Sequence, residues 1–179
     1  MRHVFLAVDL DDELKRRIEA LIGTLHLRGA RVAPASQAHV TVRFLGDVAD
    51  GALGAVRAAV ERASARHPRF PMELAGGGTF GPPGRARVLW VGVRDARPLL
   101  ALADDVDAEL SGLPCAPRDH AFAAHVTIAR ARGRMHGDLE GLRSLPSLGT
   151  MVVERLTLFR SHETGAGSGY QILALAPLA

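Results

Sequence analysis

An α+β or mixed α/β domain is predicted for this chain by three observations. Short β-branched segments alternate along the sequence with apolar stripes at helical spacing. No linker or low-complexity stretch divides the 179 residues, and hydrophobic residues make up 47% of them. A chain of that length fits one domain, residues 1–179, able to bury roughly 70% of the surface its unfolded form exposes.

Val4 to Val8 reads as a strand, and Asp11 or Asp12 then caps a helix to about Leu25, because Leu14, Ile18, Leu21, Ile22 and Leu25 share one stripe. After a turn around Gly29, His39 to Gly46 is a second strand, closed by Gly46-Asp47. A helix from about Ala52 to Ala65 carries Leu53, Val56 and Val60 and stops before Pro68. Strands are expected at Arg69 to Leu74 and Arg87 to Val93. The glycines between Gly76 and Gly84 are numerous enough for a phosphate loop, but the Gly-Lys-Ser/Thr ending is missing, so a turn is expected there. Pro98 to Leu110 repeats Leu99, Leu102, Val106 and Leu110 at helical spacing and ends near Gly112 and Pro114. Further strands are expected at His125 to Arg130, Met151 to Phe159 and Tyr170 to Leu175, with a short helix near Leu139 to Leu142.

Composition bounds the function. Net charge is +3, and of 22 basic residues only Lys15 is a lysine. Arginine suits bidentate phosphate contacts, so a nucleotide or RNA end is a compatible partner. The excess is too small for a polybasic tail, and the few aromatics argue against a broad base-stacking platform. No apolar run approaches the ~20 residues of a membrane helix. The opening apolar run is short and is followed at once by Asp9, Asp11, Asp12 and Glu13, so a cytoplasmic protein without a membrane association is expected. Cys115 is the single cysteine and can form neither an internal disulfide nor a thiolate cluster.

One echo carries chemistry. His39-Val40-Thr41-Val42 recurs as His125-Val126-Thr127-Ile128. On a strand, residues two apart share a face, so each copy has a polar face of His and Thr and an apolar face. If both polar faces line one cleft, two imidazoles and two hydroxyls surround one bound group. Histidine moves protons near neutral pH because its unperturbed pKa is about 6.5. The hydroxyls can donate to nonbridging phosphate oxygens. That inventory suits in-line displacement at phosphorus without a metal or other cofactor. A lone His-x-Thr arises readily by chance, whereas two matching copies do not. Metal binding by the same pair is disfavoured, since neither tetrad supplies a second ligand at the usual spacing.

At these residues the chain resembles the 2H phosphoesterase superfamily, and within it the RNA 2′,3′-cyclic phosphodiesterases historically called 2′-5′ RNA ligases. The resemblance extends to Val4-Phe5-Leu6-Ala7-Val8-Asp9-Leu10, Phe80-Gly81-Pro82-Pro83, Arg87-Val88-Leu89-Trp90 and Leu156-Thr157-Leu158-Phe159-Arg160-Ser161. It implies a bilobal α+β fold, with two pseudo-symmetric antiparallel β-sheet lobes, outer helices and a central cleft. It also implies hydrolysis of an RNA 2′,3′-cyclic phosphate to a 2′-phosphomonoester, with a reversible 2′-5′ ligation of tRNA halves. Carried across by position, His39 is the proton donor to O3′ and His125 the proton acceptor from water, an assignment that can be reversed. Thr41 and Thr127 grip the phosphate, and Arg130 holds phosphate or the next nucleotide unless it is only a solvated strand end. No metal ligand is implied, the partner is an RNA end such as a tRNA fragment, and a monomer is expected.

Two departures stand out. Family members usually carry proline before the second histidine, where this chain has Ala123-Ala124-His125, and a tryptophan before the first motif, where Val32 stands. These leave open the entry to the second strand and the nucleobase contacts. Strand alternation puts Arg43 on the face of His39 and Thr41, Phe5 is either a base-stacking ring or core, and His120, His136 and His162 are expected in exposed loops. The alternatives are a 2H enzyme acting on another cyclic phosphate or working mainly as a ligase, and a noncatalytic RNA-end binding module.

Overall fold

In the computed structural model, the described residues are 3–82, 86–131, 133, 135, 136, 140–164 and 167–179. The chain runs β1 (Val4–Asp9), α1 (Asp12–Thr24), β2 (Arg31–Val32), β3 (His39–Gly46), α2 (Leu53–Ser64), β4 (Phe70–Phe80) and β5 (Val88–Val93). It continues through α3 (Arg97–Leu110), β6 (His125–Arg130), α4 (Glu140–Arg143), β7 (Gly149–Val153), β8 (Arg155–Thr164) and β9 (Gly167–Pro177).

The strands form one sheet in the order β7-β4-β5-β6-β3-β1-β8-β9, with β2 also on β6, and every pairing is antiparallel. The sequence β3-β1-β8-β9 is one lobe and β6-β5-β4-β7 its counterpart. They meet at β3 and β6, where Val40 pairs with Val126. This is the bilobal α+β arrangement that the resemblance implies.

Alternation explains which side chains go where. In β1, Val4, Leu6 and Val8 join the main core, while Phe5 and Ala7 join a smaller cluster with Phe159 on the other face. The main core lies beneath the helices. Asp11 caps α1 by accepting from the Leu14 amide at 2.8 Å, which fixes where the helix starts and buries Leu14 and Ile18. Helices α2 and α3 pack on each other and bury Val56, Val60, Leu99, Leu102, Val106 and Leu110.

Four expectations need correction. Gly76 to Phe80 continue β4 rather than turn, although part of the segment to Gly84 lies outside the described residues. The glycines make room: a Cβ on Gly78 would stand 2.7 Å from the Trp90 ring. The single strand from Met151 to Phe159 divides at Glu154, because β7 pairs with β4 in one lobe and β8 with β1 in the other. His162 lies in β8 rather than in a loop, though it is exposed. Arg43 lies away from His39 and Thr41. Leu6 pairs with Arg43 and Ala7 with Thr41, so Val42 is an extra residue in a bulge. Beyond it the alternation reverses, and Arg43 turns to the helix side, where it is 7% exposed.

There Arg43 is ion-paired with Asp107 of α3 and donates to the carbonyls of Phe44 and Ala116. Removing one member of a buried pair is costly because the groups left behind lose their partner. Asp107 keeps Arg118, which moderates the loss. Arg43→Ala is expected to destabilise the fold by about 3 kcal/mol in urea denaturation; a change within error would show that the pair is dispensable.

Candidate active site

The two tetrads occupy adjacent strands. Because Val40 and Val126 are fully buried across from each other, the residues that flank them face the opposite side of the sheet. His39, Thr41, His125 and Thr127 line a single cavity of about 270 Å³, together with Phe44, Arg130 and Tyr170.

Each imidazole is tied down in the same way. His39 Nδ1 lies 2.7 Å from the carbonyl of Gln37, and His125 Nδ1 lies 2.7 Å from the carbonyl of Ala123. A carbonyl only accepts, so both Nδ1 atoms carry hydrogen, and Nε2 is the nitrogen left to take or give a proton. In the neutral state the Thr41 hydroxyl, 3.1 Å away, donates to His39 Nε2. The carbonyl in both cases belongs to the residue two before the histidine. His125 thus enters β6 as His39 enters β3, with alanine in place of the usual proline.

The fold and this duplicated geometry meet a match in sequence. A family model described as the 2′-5′ RNA ligase superfamily covers residues 10–165. The chain belongs to that superfamily. Among its relatives is an RNA 2′,3′-cyclic phosphodiesterase of Geobacillus stearothermophilus, 33% identical over 98% of this chain but only 57% of that protein. Another of the same name, from Methanothermobacter thermautotrophicus, is 30% identical over 93% of each chain. Among solved structures, TT0787 of Thermus thermophilus superposes with a TM-score of 0.80 at 26% identity, covering 98% of this chain and 97% of that one. E. coli LigT complexed with 3′-AMP shares the fold, with a TM-score of 0.82 at 24% identity over 99% and 98% of the two chains.

Within this superfamily member, a second bulge shapes the cleft. Leu89 pairs with Ala129 and Trp90 with Thr127, so Ile128 is extra, as Val42 is in β3. Simple alternation from His125 would send Arg130 to the far side. The bulge brings it back to the cleft, where Arg130 opposes protonation of both histidines. In β3 the equivalent position holds Phe44. Neither Phe44 nor Tyr170 was expected from the sequence, because the bulge sets the first and the fold of β9 against β8 sets the second.

Phe5 is 3% exposed and its ring centroid lies 5.2 Å from that of His39, so it is core beneath the imidazole and not a base platform. Tyr170 meets His39 edge-on at 5.4 Å, and Phe80 meets His125 edge-on at 4.9 Å. His120 and His136 are exposed and do not line this cavity. Among the described residues no three His, Cys, Asp or Glu side chains form a grouping able to hold a metal ion, and no helix is long and apolar enough to cross a membrane.

Burial is the main reason that both histidines bind protons less readily than imidazole in water, and the Arg130 charge adds to it. The carbonyl tethers pull the other way, as does Asp9 for His39. In NMR titrations of the free protein, both imidazoles are therefore expected to titrate below the ordinary value of about 6.5. Arg130→Gln removes a repelling charge and should move both midpoints upward. A midpoint above 6.5 in the unaltered protein, or no response to that substitution, would contradict this electrostatic account.

Proposed function

We propose that the chain hydrolyses RNA 2′,3′-cyclic phosphate ends to 2′-phosphomonoesters, without a metal, by two-histidine acid–base catalysis. The observation that carries the reading is the matched pair of imidazoles, each fixed through Nδ1 and each presenting Nε2 to the same cavity. Membership of the superfamily and the names of the relatives support RNA as the substrate class, and a tRNA fragment is one RNA end of that kind. The whole chain is read as one domain acting as a monomer.

His125 takes a proton from water, whose oxygen attacks phosphorus in line with the P–O3′ bond. As that bond breaks, His39 gives its proton to O3′, and the phosphate remains on O2′. What supports this assignment is environment: Asp9 favours the protonated form of His39, and its counterpart His125 is the less buried base, better open to water. Thr41, Thr127 and Arg130 bind the nonbridging oxygens as negative charge grows there. Once His39 is protonated, Nε2 no longer accepts from Thr41, and the hydroxyl is free to donate its hydrogen bond to a phosphate oxygen. Arrival of the phosphodiester anion offsets the lost hydration that keeps the histidines neutral.

The test is an oligoribonucleotide ending in a 2′,3′-cyclic phosphate, incubated with the protein in EDTA. Wild type is expected to yield a 2′-phosphate, and His39→Ala or His125→Ala to lower the rate by about 10²–10⁴-fold each. A 3′-phosphate, an unchanged end, or a requirement for a divalent ion would overturn the proposal.

A further inference from the structure

The cleft has unlike ends. Phe44 near the end of β3 supplies a ring and Arg130 at the end of β6 a charge, and the charged end has a second arginine beside it. Past the pairing of Val40 with Val126, β2 takes the place of β3 along β6: Arg31 pairs with Arg130, Val32 with Ala129, and the Ala33 amide donates to the Ile128 carbonyl at 2.9 Å. Residues directly opposite in an antiparallel pair share a face, with Cβ atoms about 4.5–5.5 Å apart. Arg31 therefore leaves the sheet on the cleft side with Arg130, and Ala33, two residues on, lines the cavity as alternation requires. Arg31 is exposed at the rim. The segments that meet here do not dilute the charge, since residues 20–46 and 120–137 contain no Asp or Glu. Like charges set opposite each other weaken a sheet. The arrangement becomes favourable when an anion lies over the pair.

We propose that Arg31 forms a second phosphate subsite, which binds the internucleotide phosphodiester on the 5′ side of the terminal nucleoside. The proposal rests on the phosphodiesterase reading, in which Arg130 holds the terminal phosphate. The next phosphate of an RNA strand is joined through C5′ of the same ribose, so it must lie near the first. Arg31, one strand spacing of about 4.8 Å from Arg130, can receive that neighbouring anion without competing for the space between the histidines. Its guanidinium fork matches two phosphate oxygens and stays charged throughout the range in which imidazoles titrate. Such a contact reads the backbone and carries no base preference. It favours an RNA end over a mononucleotide cyclic phosphate, which has no second phosphodiester to offer.

Calorimetric titration separates the two phosphates. The probes are the dinucleotide ApA with a terminal 2′-phosphate and the same dinucleotide with an uncharged methylphosphonate linkage. Wild type is expected to bind the charged linkage about 2- to 5-fold more tightly than the uncharged one, and added salt should shrink that preference. Arg31→Gln should abolish the preference, and Arg31→Lys, which keeps the charge without the fork, should retain part of it. Equal binding of the two probes by wild type, or a preference that survives in Arg31→Gln, would overturn the subsite. Cleavage of a terminal cyclic phosphate is assayed separately: a linkage preference without cleavage would refute the phosphodiesterase reading and leave the subsite standing.

Discussion

Everything in the cleft depends on one contact between strands, the pairing of Val40 with Val126 where the two lobes join. Two fully buried valines set side by side anchor both strands to the same core. Strand alternation then obliges the histidine and threonine that bracket each valine to face the other way. No separate loop or cofactor is needed to bring the imidazoles together. A one-residue slip of either strand would exchange its core face for its cleft face, and the cost of burying histidine and exposing valine fixes the register. The same hydrophobic burial that holds the lobes together thus turns both imidazoles and both hydroxyls into one cleft.

Upon that symmetric base, the two bulges build an asymmetric site. Each makes the last residue of its tetrad the extra one and reverses the alternation, so the residue two positions further on points into the cleft. In β6 that position is Arg130, a charge; in β3 it is Phe44, a ring. An acid and a base placed symmetrically about a phosphate have no built-in sense of direction. The unlike residues supplied by the bulges give the cleft a polar end and an apolar end, and Asp9 adds a further difference beside His39 alone.

Much of this was legible in the sequence. The repeated tetrad disclosed both histidines, both threonines and their shared face, and periodicity located the three long helices and most strands. The bulges were not legible, because Val42-Arg43 and Ile128-Ala129 look like ordinary strand residues and only pairing reveals the extra one. That is why Arg43 was expected on the face of His39 and Thr41 and Phe44 was not. The glycines from 76 to 78 suggested a turn because their real partner, the Trp90 ring on the next strand, is distant in sequence. The carbonyl tethers of Gln37 and Ala123 are backbone features, which side-chain identity at those positions does not announce.

The central claim is that the two Nε2 atoms act as a complementary acid and base, and a pH profile of kcat/KM on a cyclic-phosphate end, measured in EDTA, tests it most directly. Wild type should give a bell centred below the ordinary imidazole value, since burial depresses both histidines. His125→Gln should remove the acidic limb and His39→Gln the alkaline one. A profile whose two limbs survive both substitutions would contradict the account.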